Sequence, residues 1–124
     1  MTKVNVRYIV DDVARCLAFY RDVLGFSVVS DFSPAFASVS LAGVAVLLSG
    51  PASSAARPMP DGRRPEPGGW LRIQLEVDDI QAEVARLRAA GVRFRNDVIS
   101  GPGGRQVVIE DPSGNPIELF QPRP

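Results

Sequence analysis

The chain has 124 residues, of which 45% are hydrophobic, and this is enough for one globular domain with its own core but not for two. Its 14 basic and 14 acidic side chains cancel and form no block of like charge, which excludes the electrostatic signature of a nucleic-acid or membrane partner. Histidine is absent and Cys16 is the only cysteine, which excludes histidine-based catalysis, a thiolate zinc cluster and an intramolecular disulfide.

The first half of the chain reads as one strand, one helix and three further strands. Alternating apolar residues from Val4 to Val10 predict a strand that is apolar on one face only. The pair Asp11 and Asp12 offers an N-cap, and apolar residues at helical spacing then predict a helix of about three turns that ends at Gly25. Three β-prone segments follow at Phe26–Ser30, Phe36–Leu41 and Val44–Ser49.

A segment rich in proline, glycine, serine and arginine follows, from Gly50 to Gly69. It has too few apolar residues to form a core, so we predict a connecting loop. A loop of about 20 residues is either a plain linker or a functional element such as a lid over a pocket, and both alternatives stay open. We therefore predict a single domain, 1–124, made of a module 1–50, a connecting loop 51–69 and a module 70–124.

The second half repeats the pattern of the first half. Leu71–Val77 alternates as a strand, and Asp78 and Asp79 begin a helix that runs to Gly91. Three more strands are predicted at Arg93–Val98, Gln106–Ile109 and Ile117–Phe120. The motif VDDV at Val10 returns as VDDI 67 residues later, and Gly43–Pro51 matches Gly114–Pro122 at an offset of 71. Such a repeat indicates two similar modules, each too small to bury its sheet alone.

Three stretches together carry a resemblance that covers nearly the whole chain. They are VDDVARCLAFYRDVLGF (Val10 to Phe26), LEVDDIQAEVARLRAAGV (Leu75 to Val92) and IEDPSGNPIELFQP (Ile109 to Pro122). In this order they resemble the glyoxalase, bleomycin-resistance and extradiol-dioxygenase superfamily, also called vicinal oxygen chelate proteins. The resemblance implies an α+β fold of two βαβββ modules, whose curved mixed sheet surrounds one cleft, and it implies a homodimer.

The resemblance also implies where a metal would be held. Metal-dependent members bind one divalent ion through a side chain from each of four strands, and the motif match places these positions at Asn5, Leu47, Arg72 and Glu118. A leucine has no lone pair to donate, and an arginine carries its own positive charge and no acceptor. We therefore predict that the protein has no metal site and no cofactor.

Glu118 is the one acidic residue in an otherwise apolar final strand, where an unpaired charge would be costly. Because the resemblance places Arg72 on the mirror-related strand, where it and Glu118 both project into the cleft, we predict a bidentate pair between the guanidinium and the carboxylate. Two interpretations stay open. The pair either satisfies two buried charges and nothing more, or it also grips the polar part of a ligand.

On the second interpretation, strand parity and the resemblance predict a set of ligand-binding residues. Among these residues, Trp70 is predicted to stack on a planar ligand, although a tryptophan at the start of a strand more often covers the core or an interface. The predicted set is Asn5, Arg7, Phe36, Leu47, Trp70, Arg72, Gln74, Glu118 and Phe120.

Two functions follow from these residues. The first is a metal-independent protein that binds a small, partly aromatic molecule, a drug or a metabolite, as the bleomycin-resistance branch of the superfamily does with its antibiotics. The second is a metal-free isomerase or lyase that acts next to a carbonyl, with Glu118 or Glu76 as the base and Arg72 or Asn5 stabilising an enolate. A cationic partner stabilises an ionised carboxylate and weakens it as a base, which favours the binding protein.

The location and partners are also expected from the sequence. No basic and apolar leader precedes the first strand, and no apolar run approaches the roughly 20 residues that span a bilayer. We expect a cytoplasmic protein whose partner is a small organic ligand, and not a nucleic acid or a membrane.

Overall fold

The structure is a computed structural model that describes all residues, 1–124. The chain divides into two compact units, Met1–Gly68 and Gly69–Pro124. Each unit has a mixed sheet and helical segments, which confirms the predicted α+β class. Whether the units form one domain stays a prediction. Neither helix combines the length and the apolar character needed to cross a membrane.

The first unit has a sheet of four strands in the order β1-β4-β3-β2. Strands β1 and β4 are parallel, and the other two pairs are antiparallel. The elements are β1 (Asn5–Ile9), α1 (Val13–Ala18), a π-helical turn (Phe19–Val23), β2 (Ser27–Phe32), β3 (Phe36–Leu41), β4 (Val44–Ser49) and a 3₁₀ turn (Ser54–Ala56). The remainder of this unit lacks helix and strand, which confirms the predicted connecting loop apart from that one turn.

The predicted helix that ends at Gly25 is present, but its second half is π-helical and not α-helical. Asp12 caps α1 by accepting from the backbone N–H of Arg15 over 3.0 Å, as the pattern predicted. The helix then widens into a π-helical turn, in which the N–H of Leu24 donates to the carbonyl of Phe19 over 3.2 Å. The wider turn accommodates the burial of two adjacent aromatic residues, Phe19 and Tyr20, which a regular helix would direct to different faces.

Tyr20 is the centre of the core of the first unit. Its ring meets the rings of Phe19 and Phe26 edge to face, with both pairs of centroids 5.5 Å apart. The ring of Tyr8 from β1 lies 6.5 Å away. Tyr8 and Cys16 are buried.

The second unit has the same topology. Its sheet has the order β5-β9-β8-β6, and β7 also pairs with β8. Strands β5 and β9 are parallel, and the other pairs are antiparallel. The elements are β5 (Ile73–Glu76), α2 (Ile80–Ala89), β6 (Arg93–Phe94), β7 (Ile99–Gly101), β8 (Gly104–Glu110) and β9 (Pro116–Pro122).

The register confirms the internal repeat residue by residue. Arg7 on β1 is opposite Leu47 on β4, and Gln74 on β5 is opposite Glu118 on β9. The offset of 67 residues relates Arg7 to Gln74, and the offset of 71 residues relates Leu47 to Glu118. The two polar faces therefore correspond position by position, although their side chains differ.

Two predicted segments of the second unit differ from the structure. The strand predicted over Leu71–Val77 is limited to β5, because the residues before Ile73 leave the ladder, and Leu71 is 84% exposed. The strand predicted over Arg93–Val98 is only β6, and the glycine-rich segment after it forms the unpredicted β7 and the start of β8. Arg105 on β8 donates to the side-chain oxygen of Gln121, which also accepts from the first N–H of α2.

Gly104 begins β8 at a point where the backbones of β8 and β9 approach closely. Its φ is +154°, and a Cβ there would overlap the backbone carbonyl oxygen of Gln121. Because a backbone atom cannot move aside as a flexible side chain can, only glycine fits this position without a shift of the strand.

We predict that Gly104→Ala lowers the free energy of unfolding by about 1–3 kcal/mol, as other overpacked sites do. Gly101→Ala is the matched control, because the added methyl group at Gly101 meets no atom within 4 Å. That control should change stability by less than about 0.5 kcal/mol. Urea unfolding of the two variants checks the prediction, and equal stability of both would contradict the close approach.

Candidate functional site

Glu118 lies in the middle of β9, the strand between β5 and β8, and is buried. Its neighbours Ile117 and Leu119 are also buried, and alternation along the strand places them on the opposite face from Glu118. The apolar residues of β9 therefore belong to the core beneath the sheet, and the carboxylate belongs to the other face.

The carboxylate of Glu118 accepts hydrogen bonds on both of its oxygens. Arg72 donates to Oε1 from Nη2 over 2.8 Å and from Nε over 3.1 Å. Gln74, directly opposite on β5, donates to Oε2 from Nε2 over 2.6 Å. The predicted ion pair is thus confirmed, but the predicted bidentate geometry is wrong. Both arginine nitrogens donate to Oε1, and Oε2 accepts from Gln74 instead of from Arg72.

This trio of Arg72, Gln74 and Glu118, which we call the carboxylate cluster, has a polar surface and a neutral net charge. The side chain of Arg72 is 28% exposed and that of Glu118 is 9% exposed. Arg72 uses only part of its set of N–H donors on the carboxylate, and an arginine has no acceptor atom. The cluster therefore offers hydrogen-bond donors to its surroundings while its own carboxylate is satisfied.

The turn between β8 and β9 fixes the position of Glu118 along its strand. Asp111 is buried, and one of its carboxylate oxygens accepts from the backbone N–H groups of Ser113 and Asn115 over 2.8 and 2.9 Å. The other oxygen accepts from the side-chain amide of Asn115 over 3.0 Å. This local hydrogen bonding holds the tight turn and sets the register in which Glu118 meets Gln74.

Arg95, which was not predicted as a site residue, forms a further ion pair in this unit. Its Nε donates to Oε2 of Glu110 over 2.9 Å, and its guanidinium carbon lies 4.8 Å from the centre of the Trp70 ring. No motif marks Arg95. Its role depends on the return of β8 beside β6, which places Glu110 next to Arg93 and within reach of Arg95.

Trp70 is 73% exposed, which excludes a place in the core and leaves ligand stacking and an interface as predictions. It does not cover the core of its unit, because a core residue would lose most of its exposed surface. One face of the ring is against the guanidinium of Arg95.

The remaining predicted residues of the second unit lie on the margin of the carboxylate cluster. Phe120 is half-buried on β9 and is directly opposite Glu76 on β5. Glu76 is exposed and forms no ion pair. The structure thus brings Arg72, Gln74 and Glu118 into hydrogen-bond contact and leaves Glu76 outside that network.

In the first unit, the predicted residues form a separate polar and apolar patch. The Nη1 of Arg7 donates to the hydroxyl of Ser49 over 2.7 Å, and Leu47 is directly opposite Arg7. Phe36 is half-buried and directly opposite Ser49, while Asn5 at the start of β1 is exposed. The position that corresponds to Glu118 in this unit is the apolar Leu47, so no carboxylate is present there.

The residues at the four positions implied by the resemblance do not fit a divalent cation. Asn5 and Glu118 are the only two that carry an oxygen ligand, and both oxygens of Glu118 already accept hydrogen bonds. No group of three or more His, Cys, Asp or Glu side chains lies together in the chain. A divalent cation needs several such ligands and would also be repelled by the charge of Arg72.

We predict that Arg72 and Glu118 are strongly coupled in stability. Arg72→Met leaves a buried carboxylate without its counter-ion, whereas replacing both residues by methionine removes the charge as well, so the double variant should regain part of the lost stability. A double-mutant cycle by urea unfolding should give a coupling energy of about 1–3 kcal/mol.

The exposed pair of Glu83 and Arg86 on α2, also 2.8 Å apart, is the control for this cycle. Its coupling should not exceed about 0.5 kcal/mol, because solvent screens exposed pairs. Equal coupling energies in the two cycles would contradict the account of a desolvated pair.

Comparison with known proteins places the chain in a family. The sequence profile of the Glyoxalase/Bleomycin resistance protein/Dioxygenase superfamily matches residues 4–119. A solved member of that superfamily from Sphaerobacter thermophilus is 31% identical over 98% of both chains, with a TM-score of 0.74. No curated protein matches the chain by sequence.

Two other solved structures have the same fold. TnmS3, an antibiotic binding protein from Streptomyces sp. CB03234, is 28% identical over 99% of both chains, with a TM-score of 0.69. The lactoylglutathione lyase of Agrobacterium tumefaciens is 23% identical over 98% of this chain and 94% of its own, with a TM-score of 0.73, and shows a likeness of fold alone. With the profile covering nearly its whole length and both units repeating one topology, the chain belongs to the Glyoxalase/Bleomycin resistance protein/Dioxygenase superfamily.

Proposed function

We propose that this protein is a metal-independent binding protein that sequesters a small organic molecule, a drug or a metabolite, and that it works in the cytoplasm as a homodimer. The observation that carries the proposal is the hydrogen bonding of Glu118. The carboxylate that metal-dependent relatives use as a ligand accepts from Arg72 on one oxygen and from Gln74 on the other.

The side chains around the carboxylate cluster suit an organic ligand. Arg72 and Gln74 are accessible donors, and Trp70 and Phe120 add aromatic surface near them in the second unit. Ligand sites of this kind combine apolar contact with a few placed polar groups. In the first unit, Phe36 and Leu47 beside Arg7 repeat the same mixture. We also propose Asn5, at the exposed start of β1, as a ligand-binding residue of the first unit.

The similarity to TnmS3 supports the same proposal. That protein is an antibiotic binding protein, and it covers this chain from end to end at 28% identity. We extend the binding of a small organic molecule from that relative to this chain, and we propose in addition that the ligand is not converted. The identity of the ligand is not extended with it.

The alternative of a metal-free isomerase or lyase has less support. A general base needs a lone pair directed at the substrate, and three hydrogen bonds leave Glu118 about one of its four lone-pair sites. Glu76 is exposed, so it lacks the desolvation that makes a carboxylate an effective base at neutral pH.

We predict that the protein binds an aromatic ketone and returns it unchanged. The probe is 1-tetralone, which offers an aromatic ring, a carbonyl acceptor and hydrogens next to the carbonyl. Quenching of Trp70, the only tryptophan, should saturate at one equivalent per chain and should be the same after treatment with EDTA. Proton NMR in D₂O should show no deuterium entering the position next to the carbonyl beyond the rate without protein.

Deuterium incorporation that disappears in Glu118→Gln would instead establish the isomerase or lyase. Arg86→Met, on the surface of α2, is the control for both measurements and should leave binding unchanged. Absence of saturable binding, or binding that EDTA abolishes, would contradict the proposed function.

A further inference from the structure

Arg95 joins the beginning of the second unit to the turn before β9. Its Nη1 donates to the backbone carbonyl of Gly69 over 2.7 Å, and its Nη2 donates to that of Gly114 over 2.8 Å. With Nε on Glu110, each nitrogen of the guanidinium has a different acceptor, and the side chain is 18% exposed. Three directed hydrogen bonds fix the plane of the group, which a flexible ammonium could not reproduce.

The segment that Arg95 holds has little regular structure of its own. Residues 69–72 precede β5 and make no ladder hydrogen bonds. Gly68 and Gly69 both have positive φ, 107° and 82°, so the chain enters the segment through two glycines, which restrict the backbone least. The order of this segment therefore depends on side-chain contacts, and those of Arg95 reach it directly.

The same segment carries two of the predicted ligand-binding residues, Trp70 and Arg72. Arg95 lies against one face of the indole, an arrangement in which the cation and the ring attract each other. The other face contributes to the large exposed surface of Trp70. The carbonyl of Gly114 is four residues before Glu118, so one guanidinium connects the segments on which both members of the ion pair are carried.

We propose that Arg95 is a positioning residue of the ligand site, which fixes Gly69 and Trp70 so that the open face of the indole is a rigid stacking surface for a flat aromatic ligand. This inference rests on the proposed function. A ring held in place in advance binds with a smaller loss of conformational entropy than a mobile one.

The charges around this surface define the ligand further. Glu118 and Glu110 balance the two arginines, but Arg72 is the more exposed member of its pair, 28% against 9%, and with Arg95 behind the ring it disfavours a positively charged ligand. The N–H donors of Arg72 that Glu118 does not use favour an oxygen acceptor. The ligand class is a flat aromatic molecule without positive charge that carries a carbonyl or a hydroxyl group.

The first test measures the order of Trp70 in the unmodified protein and needs no ligand. Because Trp70 is the only tryptophan, its indole N–H gives a single NMR signal. Relaxation should give an order parameter close to that of rigid backbone, about 0.85, and a value below about 0.6 would overturn the positioning role.

The second test uses Arg95→Met, Arg95→Lys and the control Arg93→Met, whose arginine also approaches Glu110 but is mostly exposed. Both Arg95 variants should lower the fluorescence anisotropy of Trp70. They should also weaken the binding of acridone, a flat neutral ketone, by about two- to tenfold, because the ligand must then pay the entropy cost of ordering one side chain. Arg93→Met should change neither quantity. Full rescue by Arg95→Lys, or unchanged anisotropy in Arg95→Met, would overturn the inference.

The third test compares acridone with 9-aminoacridine, which has the same ring skeleton and a positive charge at neutral pH. The protein should prefer acridone by about tenfold or more, and a preference for the cation would overturn the ligand class. If the protein binds neither acridone nor 1-tetralone, the proposed function fails, and the NMR measurement still decides whether Trp70 is ordered. If acridone binds equally to the Arg95 variants, only the positioning role fails.

Discussion

The buried carboxylate of Glu118 determines what the second unit can bind, because a charge in the middle of a strand must find partners. Arg72 and Gln74 provide them, one for each oxygen. A buried ion pair of this kind is weak support for stability by itself, since desolvation cancels much of the attraction. Its larger consequence is chemical. Three of the roughly four lone-pair sites of the carboxylate accept hydrogen bonds, which leaves about one for a metal, and the guanidinium beside it adds a positive charge to the same place.

The rest of the unit keeps this arrangement in register. The Asp111 turn sets the position of β9, and the close approach at Gly104 fixes the other end of the β8–β9 pair. Arg95 then holds the segment before β5, from which Arg72 reaches the carboxylate. Superfamily members share a fold that hosts unrelated activities, so the function has to be argued from these side chains and not from the topology.

Much of this structure was predictable because its causes are local. The capping aspartate Asp12, the strand alternation and the repeat offsets follow from short-range periodicity, and the structure confirms them. The pairing of Arg72 with Glu118 was predictable because the resemblance places both residues among the four positions that hold one metal ion in other members.

Other features depend on contacts that no pattern records. The π-helical turn arises from the packing of Phe19 and Tyr20 in the core, and β7 exists only because β8 pairs with it. The hydrogen bond from Gln74 to Oε2 of Glu118, in the place of a second bond from Arg72, depends on the length of one side chain. Arg95 binds through two backbone carbonyls, and backbone acceptors leave no signal in the sequence.

The most direct measurement of the central claim is metal binding by the whole protein. Protein purified without chelators is analysed for metal content and then titrated with Zn²⁺ and Mn²⁺ by calorimetry. Because Arg72 and Gln74 occupy the carboxylate, the account predicts no stoichiometric metal in the purified protein and no saturable heat in either titration. One equivalent of metal per chain, lost in Glu118→Gln, would contradict it.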